Sequence, residues 1–288
     1  MQNGVFVLGY GLFGTDMAVI QRQGGQKIKK KVWQKNWNVG WFFASLCTFL
    51  LLWEGGCRLL ELPRFILPPP SVIAVAFWEI RSQLLTTHLW ITLQEALVGL
   101  VISIFVGTGI AICMHLHEGV KKVVYPHVII SQTIPILALS PVFMMWFGYE
   151  LPGKVAIVVL FTFFPIVVST YDGLLVTDTE QRNYFRMIGA NRWQIFCKLE
   201  VPSALPSFFS GVKVAATFSV SGATVGEWLG ASAGLGYFGR RASGNFQAPA
   251  LFASVLLLCL LGLGLFLVMN LLEQRFLTYN RNRKETRQ

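Results

Sequence analysis

Long apolar runs alternate with short polar segments along most of the chain. A membrane-crossing helix needs about 20 apolar residues to span ~30 Å of hydrocarbon. Six runs meet this length: residues 39–60, 96–116, 123–147, 155–175, 208–228 and 249–272. The pattern therefore predicts an all-α polytopic membrane protein with six transmembrane helices.

Prolines and charges modify individual runs without removing any of them. The third run is predicted to be broken by Pro135 and Pro141, and the fourth contains Pro165. Membrane helices tolerate proline where neighbouring helices or polar side chains satisfy the freed backbone groups, so these prolines favour a packed bundle. Glu54 and Arg58 lie one helical turn apart near the end of the first run, where they can pair.

The composition supports the membrane class and argues against several soluble functions. Of the 288 residues, 54% are hydrophobic and 13% are charged, which is too apolar for an ordinary soluble domain. The net charge of +10 does not indicate nucleic-acid binding, because the basic residues lie at the ends of apolar runs. The five cysteines lack metal or disulfide spacing, and no cluster of acidic, histidine or nucleophilic residues indicates an enzyme.

The distribution of lysine and arginine predicts the orientation. With the N-terminus inside, 17 of the 24 basic residues lie on the inner side of the membrane. Because inner loops carry an excess of lysine and arginine, both termini are predicted to be cytoplasmic. The predicted organisation is a cytoplasmic tail (1–38), a first span with an outer loop (39–86), a transmembrane domain (87–276) and a basic cytoplasmic tail (277–288).

A polar segment on the inner side, residues 176–206, separates the fourth run from the fifth. Gly189 near its middle permits a bend between two short helices. Asn191 can cap the second helix, and Gln194 stands three residues later, as in a capping box. That helix is predicted to end near Pro202.

Aromatic residues are predicted to project from this second helix. Trp193 and Phe196 lie on it, beside Arg192. Exposed aromatic residues flanked by arginine fit the groove of a partner protein. The same pattern also fits a surface helix that packs its aromatic residues under the chain's own spans, and the residues alone leave both possibilities open.

Two segments look like nucleotide-binding motifs but lack the required context. Residues 148–154, GYELPGK, begin like a phosphate-binding loop, but Val155 follows where a serine or threonine is needed. Residues 234–239, GLGYFG, match GxGxxG but follow a predicted membrane helix instead of a strand, which predicts a tight outer turn. If ATP drives this protein, another subunit must bind it.

Small residues recur along the fifth run. Gly222, Gly226 and Gly230 are four residues apart, and this spacing allows helices to approach closely. The stripe fits packing within one chain, a dimer seam or packing beside a translocation pathway, and the last of these is the interpretation favoured here.

A few polar residues are candidates for a pathway. Glu227 is acidic at membrane depth, where charges are costly and usually functional. It can also be solvated, or paired with Arg240 or Arg241. Gln132, shortly before Pro135, is a further candidate.

The polar segment resembles the cytoplasmic EAA loop of permeases from binding-protein-dependent ABC importers. That pattern is Glu-Ala-Ala, three residues, glycine, nine residues and Ile-x-Leu-Pro. Gly189 occupies the glycine position, and the hydrophobic-x-hydrophobic-Pro ending matches residues 199–202. Residues 183–185, Asn-Tyr-Phe, depart from the opening triplet, which leaves the contacts of the first helix open.

The resemblance extends from about Thr87 to Phe276. It includes the segments QTIPILALSPVFMMWFG, GANRWQIF and SALPSFFSGVKVAATFSVSGATVGEWLGASAGLGY. These are similar to permeases of the sulfonate, taurine and nitrate group. Within that group, FSGVKVAATFSV followed by VGEWLGAS is most similar to permeases for thiamine-precursor pyrimidines and, less closely, riboflavin.

The resemblance implies a type I ABC importer permease in the inner membrane of a prokaryote. It further implies a homodimer, ATPase subunits that bind ATP and Mg²⁺, an extracytoplasmic solute-binding protein, and no cofactor in this chain. The residues that would contact the ATPase are Arg186, Gly189, Ala190, Asn191, Arg192, Trp193 and Phe196.

Other transport functions are alternatives. A permease of the same group for sulfonate, taurine, nitrate or riboflavin fits the same features. A stand-alone secondary transporter would need carboxylates in mid-membrane for its coupling ion. The acidic residues of the spans instead fall near predicted span ends: Glu54, Glu95, Asp172 and Glu227.

Overall fold

The computed structural model describes residues 27–285, and the side chains of residues 40, 41 and 43–277. All regular elements in this part are helices: α1 (Lys27–Leu59), α2 (Pro70–Gln83), α3 (Leu89–Leu116), α4 (Glu118–Ser131), α5 (Ile136–Phe147), α6 (Leu151–Leu175), α7 (Thr179–Met187), α8 (Arg192–Ile195), α9 (Val201–Gly230), α10 (Leu235–Gly244) and α11 (Ala248–Glu285). Two π-helical turns, Leu84–His88 and Phe196–Glu200, join α2 to α3 and α8 to α9.

The chain divides into two compact units, residues 1–62 and 63–288. In the first unit, α1 covers the first predicted span. Arg58 pairs with Glu54 at 2.6 Å, which confirms the predicted ion pair one helical turn apart. The predicted N-terminal tail lies largely outside the described residues.

In the second unit, the predicted outer loop is mostly helical. Pro69 is extended (φ −66°, ψ 149°), and helix begins at Pro70, where a missing backbone N–H costs nothing. The helix then runs through the π turn to Leu116 as one 47-residue element. The helix that contains the second predicted span therefore begins at Pro70, 26 residues before Ala96.

The third predicted span is broken. α4 and α5 meet at 107° across residues 132–135. Pro135 caps α5 in an extended conformation and lacks the N–H that a continuous helix would use. The predicted break at Pro135 is therefore confirmed, whereas the break predicted at Pro141 is wrong, because Pro141 lies inside α5. The pair forms either a broken span or a re-entrant loop.

The loop helix also differs from the prediction, because it does not end near Pro202. α8, the π turn and α9 form one 39-residue helix, Arg192–Gly230. Pro202 lies in the first turn of α9, immediately after the π turn, where the wider backbone accommodates a residue without an N–H. The polar segment, which we call the coupling segment, thus contributes its second helix to the same continuous helix as the fifth predicted span.

The core of the second unit lies where α6 packs against α9 and α3. Val158 and Ile166 of α6 are fully buried there, with Ala215 and Ala216 of α9. Ser103 and Thr162 form a 2.6 Å hydrogen bond between α3 and α6. These contacts make the three helices one packed bundle.

The described residues contain four or five candidate membrane spans, compared with the six predicted. Among the described residues, four helices are long and apolar enough to cross a membrane: residues 70–116, 151–175, 192–230 and 248–277. The bent pair α4–α5 raises this number to five if it forms one span. Six spans are therefore not confirmed, and part of α1 has side chains outside the described residues.

Candidate functional site

The bend of the polar segment is a Schellman motif. Gly189 has φ +81°, in the left-handed region that favours glycine. Its N–H donates to the Arg186 carbonyl at 3.0 Å, and the Ala190 N–H donates to the Phe185 carbonyl at 2.9 Å. The predicted bend at Gly189 is confirmed.

A capping box starts the second helix. The Gln194 N–H donates to Asn191 Oδ1 at 2.8 Å, and the Asn191 N–H donates to Gln194 Oε1 at 2.9 Å. Both donors would otherwise lack partners at a helix start. This confirms the predicted cap and fixes the direction in which α8 leaves the bend.

The two aromatic residues of this helix lie in different environments. Trp193 is 64% exposed, whereas Phe196 is 6% exposed and packs against Leu174 and Ala204. The prediction that both side chains project from the helix is therefore wrong for Phe196. Its ring packs against α6 and α9 because the loop helix continues into α9. The two rings stack 5.4 Å apart, so the buried phenyl ring supports the exposed indole.

The other predicted contact residues are mostly accessible: Arg186, Asn191 and Arg192 are exposed, and Ala190 is half-buried. Sequence reasoning missed an apolar stripe on α7 and its C-terminus. Tyr184, Met187 and Ile188 are 59%, 79% and 62% exposed. Their i, i+3, i+4 spacing was the available signal. With Trp193, they form what we name the coupling face (Tyr184, Met187, Ile188 and Trp193).

Glu227 is fully buried and holds the start of α10. Its Oε1 accepts a 2.6 Å hydrogen bond from Thr92, and its Oε2 accepts the Gly236 N–H at 2.5 Å and the Tyr237 N–H at 3.3 Å. A carboxylate at a helix N-terminus satisfies unpaired donors and complements the helix dipole. The sequence offered Arg240 as an alternative partner of Glu227. In the structure, the Arg240 guanidinium donates instead to the Trp228 carbonyl.

Two further side chains complete this anchor. The Leu235 N–H donates to Thr92 Oγ1 at 2.8 Å, and the Gly234 N–H donates to His88 Nδ1 at 3.1 Å. The four successive N–H groups of residues 234–237 are therefore all bound by side chains. Sequence reasoning missed Thr92 and His88, because 135 to 146 residues separate them from the groups they bind.

The glycines of GLGYFG serve this anchor. A Cβ on Gly234, whose φ is +124°, would lie 2.2 Å from the Glu227 carboxyl carbon. One on Gly236 would lie 2.7 Å from Glu227 Oε2. The motif is thus the cap and the first residues of α10, built around a buried carboxylate, and the predicted tight turn is corrected because residues 235–239 are helical.

A buried ion pair lies in the same bundle. Lys154 Nζ is 2.8 Å from Glu95 Oε1, and both residues are almost completely buried. Lys154 lies in the first turn of α6, one residue before the predicted fourth span, and Glu95 lies in α3, one residue before the predicted second span. Glu95 and Glu227 are both buried and bonded within the chain.

The glycine stripe of α9 packs against this chain's own residues. A Cβ would lie 2.9 Å from Val158 Cα at Gly222, 3.2 Å from Lys154 Cα at Gly226, and 2.2 Å from the Tyr149 ring at Gly230. The stripe therefore allows close packing against α6 and its preceding turn, as the interpretation of packing within one chain predicts.

The remaining predicted pathway residues lie in the break between α4 and α5. Gln132 caps the end of α4 and Pro135 caps the start of α5, and both are exposed. The structure does not bring them together with Glu227. In the described residues, no three His, Cys, Asp or Glu side chains lie together as a metal site requires.

Comparison with known proteins identifies the family. The model of the family described as "Binding-protein-dependent transport system inner membrane component" matches residues 99–278. The chain belongs to this family. It is thus an ABC importer permease and a multi-pass membrane protein, as the loop pattern predicted.

Several permeases are similar to this one over most of their length. The formylaminopyrimidine transport permease protein ThiX of Halalkalibacterium halodurans is 42% identical over 83% of this chain and 94% of its own. The riboflavin transport system permease protein RibX of Chloroflexus aurantiacus is 33% identical over 80% and 87%. A putative aliphatic sulfonates transport permease protein, SsuC of Bacillus subtilis, is 26% identical over 90% and 95%.

The fold of the permease is similar to a solved transporter. A chain of the MetNI methionine ABC transporter in inward-facing conformations aligns with a TM-score of 0.61 at 18% identity, over 68% of this chain and 98% of its own. This supports the predicted permease fold.

Proposed function

We propose that this permease moves a formylaminopyrimidine or a closely related thiamine-precursor pyrimidine inward, by alternating access driven by a separate ATPase. The observation that carries the proposal is the 42% identity to ThiX over 94% of that protein. Identity is lower to the riboflavin and sulfonate permeases, at 33% and 26%. Riboflavin, sulfonates, taurine and nitrate are the alternative solutes.

Uptake of labelled formylaminopyrimidine tests the solute. The permease, its ATPase and its solute-binding protein are expressed together in cells that lack endogenous uptake. We expect saturable uptake that unlabelled formylaminopyrimidine abolishes and that excess riboflavin, taurine or alkanesulfonate leaves unchanged. Uptake of riboflavin or a sulfonate, with none of the pyrimidine, would contradict the proposed solute and retain the permease assignment.

We propose that the coupling face docks in a groove of the ATPase, which binds the ATP and Mg²⁺. The support is that these apolar side chains are exposed beside the Gly189 bend and the Asn191–Gln194 capping box. Aromatic residues at such exposed positions are frequent interface anchors. Arg186 and Arg192 lie beside it and are exposed. Closure of the ATPase would move α8 and α9 together, because they form one continuous helix.

The translocation pathway is proposed to pass the break between α4 and α5 in a dimer of two permeases. Non-helical backbone at membrane depth occurs where it is buried in protein or lines a water-filled cavity. Gln132 is polar and exposed at this break. Gly222 and Gly226 contribute indirectly, by holding α9 close to α6, and Glu227 by holding α10.

The proposed orientation has both termini in the cytoplasm. It predicts that residues of the polar segment and of α10 face opposite sides of the membrane. Single cysteines at Gln194 and Ser243, both exposed, test this in a background without the five native cysteines. An impermeant thiol reagent should label Ser243→Cys in intact cells and Gln194→Cys only after permeabilisation. The reverse labelling pattern would invert the topology.

A further inference from the structure

Glu200 occupies the junction between the coupling segment and the fifth span. It is the last residue of the π turn, and it is 7% exposed. Its Oε1 lies 2.8 Å from Arg182 Nε of α7. Its Oε2 lies 2.7 Å from His115 Nε2, in the last turn of α3. One buried carboxylate therefore connects three helical elements.

These contacts add a connection that the covalent chain does not supply. The coupling segment is joined by the backbone to α6 before it and to α9 after it. α3 is distant in sequence, since 85 residues separate His115 from Glu200. The hydrogen bond between these two side chains attaches the inner end of α3 to the coupling segment.

Aromatic contacts extend this connection to the coupling face. The His115 ring lies 6.0 Å from the Phe196 ring, and Phe196 stacks on Trp193 at 5.4 Å. Displacement of the exposed indole is therefore transmitted through packed rings to the hydrogen-bonded pair of Glu200 and His115. Rigid, contiguous packing of this kind transmits displacement between elements.

The chemistry of the junction favours movement as a unit. A buried carboxylate that loses its partners is costly, because neither water nor another donor replaces them. Hydrogen bonds to a charged group are also stronger than those between neutral groups. Separating α7 or α3 from Glu200 is therefore unfavourable, so the three elements are expected to move together.

We propose that Glu200 is a positioning residue for coupling, which makes α3 follow the coupling segment and α9 when the ATPase closes. The proposal rests on the proposed function of the coupling face. It goes further, because it assigns the attachment of the inner end of α3 to one carboxylate and its partners Arg182 and His115. Without this attachment, the ATPase still binds, but ATP hydrolysis moves the coupling segment without the inner end of α3, while the rest of α3 stays packed on α6 and α9.

The test uses the complete transporter, reconstituted in liposomes with its ATPase and solute-binding protein. The variants are Glu200→Gln, His115→Ala and His115→Gln. Matched controls are Glu180→Gln, an exposed carboxylate in the first turn of α7, and His117→Ala, an exposed histidine two residues beyond His115. Each is measured for ATPase copurification, thermal unfolding, ATP hydrolysis and uptake of labelled formylaminopyrimidine.

We expect Glu200→Gln and His115→Ala to retain the ATPase and to lose about tenfold in solute moved per ATP hydrolysed, within the usual range of coupling between sites. Their ATP hydrolysis should also lose its dependence on the binding protein. His115→Gln should restore most of the ratio, because its side-chain amide can donate to Glu200 Oε2. Both controls should resemble the wild type.

An unchanged ratio of transport to hydrolysis in His115→Ala would overturn the proposal. So would a His115→Gln variant that is as uncoupled as His115→Ala. If Glu200→Gln does not accumulate in the membrane, the two His115 variants decide the outcome. Failure of the coupling face itself is distinguishable, because it would appear as normal ATPase copurification in Trp193→Ala, whatever the Glu200 result.

Discussion

Trp193→Ala is expected to release the ATPase from the permease while leaving the permease folded in the membrane. The indole is 64% exposed, so its removal leaves no cavity in the core. If it fills a groove of the ATPase, truncation removes an anchor that contributes about 2–4 kcal/mol to binding. That corresponds to a ~30- to 1000-fold loss of affinity, enough to abolish copurification and uptake.

Two matched variants separate this effect from loss of stability. Trp78 of α2 is 65% exposed, so Trp78→Ala removes an equally exposed indole elsewhere and should leave copurification unchanged. Phe196→Ala removes a buried ring and should lower the free energy of unfolding by about 3–5 kcal/mol. Normal copurification and uptake in Trp193→Ala, at equal membrane levels, would mean that the ATPase contact lies elsewhere on the loop.

Glu227→Ala is expected to prevent accumulation of the permease in the membrane. The carboxylate accepts hydrogen bonds from Thr92 of α3 and from the Gly236 and Tyr237 N–H groups at the start of α10. Removing it leaves the two N–H groups unpaired, at a cost of about 1–3 kcal/mol for each. The sum is comparable with the whole stability of many domains, which is about 5–15 kcal/mol.

Glu227→Gln is the matched variant, because it keeps the size of the side chain. Its amide oxygen can accept both backbone N–H groups, and its amide nitrogen can donate to Thr92, whose hydroxyl then donates to the His88 carbonyl, 3.1 Å away. We expect near-normal membrane levels, thermal unfolding and uptake. A variant with normal levels but little uptake would instead assign the Glu227 carboxylate to the translocation pathway.

The apolar pattern determined the helical membrane class, because hydrocarbon requires that each spanning segment satisfy its own backbone. Local signals within about five residues were equally informative. The bend at Gly189 and the capping box of Asn191 and Gln194 follow from backbone geometry and from donors a few residues away, so both could be predicted correctly. The spacing around Gly189 also identified the family.

Helix boundaries were harder to predict, because they depend on how the backbone on either side of a helix-breaking residue adjusts. Pro202 was expected to end the loop helix, but the π turn before it accommodates the proline, and the helix continues into the span. Pro135 and Pro141 were both expected to break the third run, but only Pro135 does so, with a bend of 107°, whereas Pro141 lies inside α5. Whether a proline ends a helix depends on how far the neighbouring backbone can adjust, and the residues around the proline do not show this.

Only the tertiary structure decided which polar residues meet. Glu227 looked like an acidic residue at a span end, whereas Thr92 and His88, which complete its anchor, carry no signal in sequence. Glu200 likewise has no signal of its own in the loop pattern. Only the folded chain brings His115 and Arg182 to its two carboxylate oxygens. The sequence by itself determined the membrane class, the bend and its cap, since those depend on neighbouring residues and solvent. Contacts between side chains 85 to 146 residues apart depend on how the helices pack, and the packing was decided by small residues such as Gly222 and Gly236 that admit close approach.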